Sequence, residues 1–169
     1  MSRFWPHTAY AEEQPYSHAI LYTHVLTRAV QAGSIVGATI GSAYAVFPSL
    51  PFAPAQPSAA KILLRSTGMG TVIATGLLTV ATPARMWGRE EIEWQDRSWR
   101  LLENKGQVEC DDWTYGGMAL GAVATAVRGN GMGWRGAAGR VGAGSVLGMV
   151  GYMGYRYGMK GGKWEEDKI

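Results

Sequence analysis

Cysteine occurs once in this chain of 169 residues, at Cys110, which excludes an intrachain disulfide framework and a zinc site built from paired cysteines. Histidine occurs only as His7, His18 and His24. His18 and His24 stand on different helical faces, and neither has acids or cysteine at ligand spacing, so both read as interfacial residues rather than a metal centre. No Walker loop, CxxC, HExxH or nucleophile elbow occurs, and an enzyme would need catalytic groups that this sequence does not visibly supply. The start, MSRFWPHTAYAEEQPYSHAILY, lacks a compact apolar run behind a basic head. Glu12 and Glu13 are wrong for an arginine-rich presequence, so any targeting is expected to be internal. Charge is also sparse: Asp, Glu, Lys and Arg make up 17% of residues and lie mostly outside four glycine-rich stretches. The mean hydropathy of −0.07 therefore averages apolar blocks with charged ones. The net charge of +3 is dispersed and interleaved with acids, which gives nucleic-acid binding little support.

What the chain has in excess is glycine, at 24 residues, with no collagen-like period and no polar dilution. In AVQAGSIVGATIGSAYAVF, residues 29–47, Gly33, Gly37 and Gly41 fall four apart and would line one groove of a helix. Each costs about 1 kcal/mol relative to alanine in a water-exposed helix interior, so the pattern argues for lipid as solvent. There the backbone satisfies itself, and small residues let a partner helix approach closely. Gly117 with Gly121, and Gly144 with Gly148, repeat the spacing.

The expected fold is all-α: a polytopic membrane protein with four Gly-rich transmembrane helices over 29–47, 59–83, 113–128 and 141–158. Residues 1–28 form a polar, extended tail and the start of a helix. Pro48, Pro51, Pro54 and Pro57 hold 48–58 as a semi-extended link, and Ser58 is the expected N-cap of the second span. Arg65 is expected to extend its stem toward the headgroups. Residues 84–112 form a charged, partly helical loop with eight acids and five bases, in which Gly106 is the expected helix stop. Glu90/Glu91 and Asp111/Asp112 are adjacent pairs pointing about 100° apart, so they form no acid–base dyad and read as a solvated face or a partner contact. GMGWRG, residues 131–136, matches GxGxxG, but without a preceding strand or a following acid it reads as part of a flexible loop over 129–140. The tail from residue 159 to 169 is charged.

Two stretches, MSRFWPHTAYAEEQPYSHAILYTHVLTRAVQAGSIVGATIG and WQDRSWRLLENKGQVECDDWTYGGMALGAVAT, together with the Gly-rich ending, resemble a fungal accessory subunit of mitochondrial NADH:ubiquinone oxidoreductase, respiratory complex I, of the small membrane-arm type. That resemblance implies an inner-membrane protein supporting assembly or stability of the membrane arm, binding no flavin, iron–sulfur cluster or quinone itself. The four Gly-lined spans also resemble the Tim17/Tim22/Tim23 family of import-channel proteins, which implies a common fold and, as an alternative, a role in protein import.

Taken together, the expectation is a multi-pass protein of the mitochondrial inner membrane without catalytic, metal or cofactor-binding residues of its own. Gly33, Gly37, Gly41, Gly117, Gly121, Gly144 and Gly148 pack helices, and Trp87, Trp94, Trp99 and Arg100 meet a partner. The partners expected are the membrane-arm subunits of complex I and the lipid bilayer, with structural phospholipids such as cardiolipin and with neither nucleic acid nor a small-molecule substrate. The N-tail, central segment and C-tail share one side and hold eleven of the sixteen Lys and Arg, which makes that side the matrix by the positive-inside rule.

Overall fold

The structure, a computed structural model, describes residues 4–47, 58–129 and 131–162. Helix α1 is Ser17–Val46 and α2 is Ala59–Arg85. They are followed by α3 at Glu91–Glu103, α4 at Lys105–Arg128 and α5 at Gly133–Met153, which ends in a π-helical turn at Gly154–Met159. A 3-10 turn at Ala11–Glu13 precedes them, and among the described residues there is no strand. α1 and α2 are long and apolar enough to cross a membrane. Four such helices were expected. α4 begins with Lys105, Glu109, Asp111 and Asp112, while α5 carries Arg135 and Arg140 among seven glycines in 21 residues, and both are diluted by this content.

Several boundaries differ from the sequence expectation for identifiable reasons. The N-terminal segment is ordered around the buried side chain of Gln14, which donates to the Pro6 carbonyl at 2.8 Å and the Pro15 carbonyl at 3.1 Å. α1 starts twelve residues before the expected first span. It follows Tyr16, whose φ of 58° lies in the left-handed region and turns the chain into the helix. Pro83 sits in the last turn of α2, where it deprives the Thr79 carbonyl of its usual donor; the Tyr22 hydroxyl supplies one instead at 3.4 Å. Gly106 is not a stop. The break between α3 and α4 falls at Asn104, whose side chain accepts from the Gln107 amide at 3.1 Å and so caps α4. Residues 133–140, expected as loop, form the first two turns of α5, because contact with α2 stabilises a segment whose glycines alone would not make a helix. The proline-rich link at 48–57 and the tail at 163–169 lie outside the described residues.

α1 and α4 run one way, α2 and α5 the other. α1 packs on α2, α2 on α5 and α5 on α4, while α3 lies against the beginning of α1. Thus the start of α1, the start of α4, α3 and the N-terminal segment gather at one end, here called the near end.

The distribution of residue types is inverted relative to a water-soluble bundle. Val36, Ile40, Ile73, Leu77, Val80, Leu120, Val123, Leu147 and Val150 are exposed. Gln31, Ser34, Thr67, Thr71, Thr114 and Ser145 are buried among glycines. The hydroxyls of Thr67, Thr71, Thr75, Thr79, Thr82, Thr114 and Thr125 all bond the carbonyl four residues back on their own helices. Conventional apolar core is confined mainly to the near end, where Ile20, Met86, Trp94 and Leu102 are buried.

Candidate functional site

The glycines set how closely the helices approach. A Cβ added at Gly33 would fall on the Gly70 carbonyl oxygen, and one added at Gly70 on the Gly33 carbonyl oxygen. One added at Gly37 would meet the Ser66 carbonyl, and Gly41 faces the Ser66 side chain and the Leu63 backbone. Gly117 and Gly144 exclude each other's Cβ in the same reciprocal way; Gly121 lies on the Arg140 carbonyl and Gly148 on that of Trp113. All seven glycines singled out in the sequence therefore lie where helix backbones touch. The contact between α2 and α5 uses two others, Gly68 and Gly139, each lying on a backbone carbonyl of the opposite helix. Gly68 and Gly70 are two residues apart, a rotation of about 200°, so one faces α5 and the other α1. Where α1, α2 and α5 converge, Ser34 and Thr71 join their hydroxyls at 2.8 Å, and a Cβ at Gly142 would strike both.

α1 and α4 meet differently, through long polar side chains. The Arg28 guanidinium lies 2.7 Å from Asp111 Oδ1 and donates to Gln107 Oε1 at 2.7 Å and to Gln31 Oε1 at 2.6 Å. His24 Nδ1 lies 3.1 Å from Asp111 Oδ2. Gln31 donates to Thr114 Oγ1 at 2.8 Å, and Thr27 bonds the Tyr115 hydroxyl at 3.0 Å. Asp111 is 1% exposed and the Arg28 side chain 28% exposed, so this is a partly buried ion pair joining two helices. Removing Arg28 would leave the buried Asp111 carboxylate with His24 as its remaining partner, whereas Arg28 without Asp111 keeps Gln31 and Gln107. Asp111 is thus not part of a solvated face, and His24 is a ligand of this carboxylate rather than a free interfacial residue.

At the near end α3 is latched onto α1. Ser17 donates to Glu91 Oε1 at 2.7 Å, and His18 Nε2 reaches Glu91 Oε2 at 2.7 Å. The His18 ring stacks on Trp94 with centroids 4.0 Å apart and planes 11° from parallel. These two hydrogen bonds hold the Glu91 carboxyl below its ordinary value, against a smaller opposing effect of burial. Trp94, Ser98 and Leu102, four apart, form the buried stripe of α3. Trp99 donates from Nε1 to the Thr8 carbonyl at 2.9 Å, and His7 stacks on it. Trp94 and Trp99 are therefore engaged within the chain. Trp87, 87% exposed, and Arg100, whose Nε lies 3.0 Å from Asp96 Oδ1, remain at the surface.

Comparison with known proteins adds one finding. A family model described as a protein of unknown function, DUF1757, matches residues 7–150. The chain belongs to that family. The match begins at His7 in the N-terminal segment and ends at Val150 in α5, so it takes in the α3 latch and the α1–α4 polar cluster. No curated protein matches the chain.

The polar cluster was missed from the sequence, although its signal is there. His24, Arg28 and Gln31 fall at i, i+4 and i+7, and Gln107, Asp111 and Thr114 do the same. Both sets stand at the margins of apolar stretches, where polarity is easily read as the end of a span.

Proposed function

We propose that this chain is a four-span protein of the mitochondrial inner membrane that acts as a non-catalytic accessory subunit, stabilising or assembling the membrane arm of NADH:ubiquinone oxidoreductase. The observation that carries the membrane part of this reading is the inverted residue distribution, with valine, isoleucine and leucine outside and glycine, serine and threonine inside. In lipid no hydrophobic force drives helices together, and close backbone contact with interhelical hydrogen bonds takes its place. α1 is about 45 Å long at 1.5 Å per residue, enough to traverse the hydrocarbon core and still carry His18 and His24 outside it. α4 and α5 span with their polar first turns at or beyond the headgroups.

The accessory role rests on the resemblance of the N-terminal and central stretches to a complex I subunit, and on the surface that remains. The glycine faces are consumed in contacts inside the chain, which leaves the near end, with Trp87 and Arg100 exposed, as the docking surface for a larger neighbour.

Carbonate extraction and native gels of mitochondrial membranes test the reading. The protein should resist extraction and migrate inside a very large NADH-oxidising assembly, and Gly37→Leu should reduce its incorporation. Migration of the native protein apart from that assembly would refute the accessory role; conductance after reconstitution would then favour an import component.

A further inference from the structure

A groove of about 1470 Å³ runs along the outer seam between α4 and α5. On the α4 side it extends from Glu109 to Arg128, which is about 29 Å at 1.5 Å per residue. Its middle is apolar, lined by Leu120, Ala124, Ala143 and Leu147, and its floor is the glycine contact between the two helices. Trp113 and Tyr155, stacked with centroids 5.5 Å apart, stand toward the near end, with Glu109 and Asp112 beside them. At the opposite end lie Arg128 and Arg140. Arg140 donates from Nη1 to the Gly129 carbonyl at 3.2 Å, which holds its guanidinium at the end of α4 where that helix turns back.

The charge of the described residues follows the same polarity. No acid occurs from residue 14 to 89 or from 113 to 164. Among the described residues, every carboxylate therefore lies toward the near end, whereas the far end carries Lys61, Arg65, Arg128, Arg135 and Arg140 with no acid to offset them.

We propose that this groove binds one anionic phospholipid of the far-end leaflet, with its phosphate on Arg128 and Arg140 and its acyl chains lying between α4 and α5. Arginine presents a planar fork of donors that suits phosphate, and two such forks at one mouth select an anion over a zwitterion. Between Tyr115 and Arg128 the side chains that line the α4 wall are all apolar or glycine, a stretch of about 20 Å at 1.5 Å per residue. The volume exceeds the roughly 300–1,000 Å³ of ordinary small-ligand pockets, which suits a two-chain amphiphile. Glu109 lines the near end and disfavours a phosphate there, whereas Arg128 and Arg140 line the far mouth, which orients the lipid. This inference rests on the reading that α4 and α5 lie in the bilayer.

The test uses the full-length protein purified in neutral detergent, with its melting temperature followed as phosphatidylglycerol or phosphatidylcholine is added in mixed micelles. Phosphatidylglycerol should raise the melting temperature at concentrations at least tenfold lower than phosphatidylcholine. The double variant Arg128→Gln/Arg140→Gln should lose that preference while melting normally without lipid. The control Lys61→Gln/Arg135→Gln, which removes the same charge from the same end but outside the groove, should keep it. Leu120→Trp, which fills the groove, should abolish the response to both lipids. A protein that resists carbonate extraction yet responds equally to both lipids, or a double variant that retains the preference, overturns the groove and leaves the membrane reading intact. Release by carbonate overturns both.

Discussion

Gly117 on α4 and Gly144 on α5 are placed so that a Cβ on either would fall on the carbonyl oxygen of the other. Such a contact leaves neither helix room to absorb a methyl group without moving apart. Gly117→Ala and Gly144→Ala are each expected to destabilise the detergent-solubilised protein by about 1–3 kcal/mol, as overpacking does in other well-filled interiors. Gly76→Ala is the control, because nothing lies within 4 Å of its added Cβ. That variant should be neutral or stabilise α2 by up to about 1 kcal/mol through helix propensity. Thermal melts of the three variants decide the matter, and equal behaviour at positions 76 and 117 would mean that close approach is not what glycine provides here.

The pairing of Arg28 with Asp111 joins two helices whose backbones do not touch closely. Asp111→Leu leaves the Arg28 guanidinium, 28% exposed and still bonded to Gln31 and Gln107, facing an apolar neighbour and is expected to cost about 1–3 kcal/mol. Arg28→Met combined with Asp111→Leu removes both charges and should recover a large part of that loss, since an apolar pair of similar volume is often as stable as a buried ion pair. A double-mutant cycle measured by melting in detergent gives the coupling directly. If the double variant is as damaged as the sum of the two single ones, the pair is not an interacting unit.

The helical class and the four-residue glycine faces were legible because both rest on spacing within one element. Gly33, Gly37 and Gly41 announce a groove whatever lies in it. The partner of each groove was not legible. Nothing local says that Gly70 meets Gly33 while Gly68, two residues earlier, meets α5. The near end was the least readable. Trp94 and Trp99 look from the sequence like aromatics offered to a partner, yet His18 and Thr8, more than seventy residues away in the chain, take them up. Asp111 was misread for the same reason: its neighbour Asp112 suggested a solvated pair, whereas its partners His24 and Arg28 come from α1.

The latch of Glu91 on Ser17 and His18 should respond to acid. Because its folded-state carboxyl titrates below the ordinary 4.5, Glu91 strengthens the docking of α3 at pH values above that figure. That contribution is lost as pH falls through the depressed value. Trp94 fluorescence, sensitive to the stacked His18 ring, should therefore change below about pH 4.5 as the latch opens. Ser17→Ala removes the largest cause of the shift and should move this transition to higher pH, whereas Glu91→Gln should remove it. A transition that stays in place in Glu91→Gln belongs to another group.

Stability and assembly should separate at the near end, because α3 presents one face to its own chain and another outward. Trp94 is 7% exposed and stacked on His18, so Trp94→Ala is expected to cost about 3 kcal/mol and to raise hydrogen exchange throughout α3. Trp87 is 87% exposed, and Arg100, also exposed, pairs across one helical turn with Asp96. Trp87→Ala combined with Arg100→Ala should therefore change the melting temperature of the isolated protein by an amount corresponding to no more than about 1 kcal/mol. The same double variant should lower the fraction of protein recovered in the large assembly on native gels, since exposed tryptophan and arginine are the side chains that most often anchor an interface. Loss of incorporation without loss of melting temperature identifies a contact surface. Loss of both would place Trp87 and Arg100 in the fold, and loss of neither would move the docking surface away from α3.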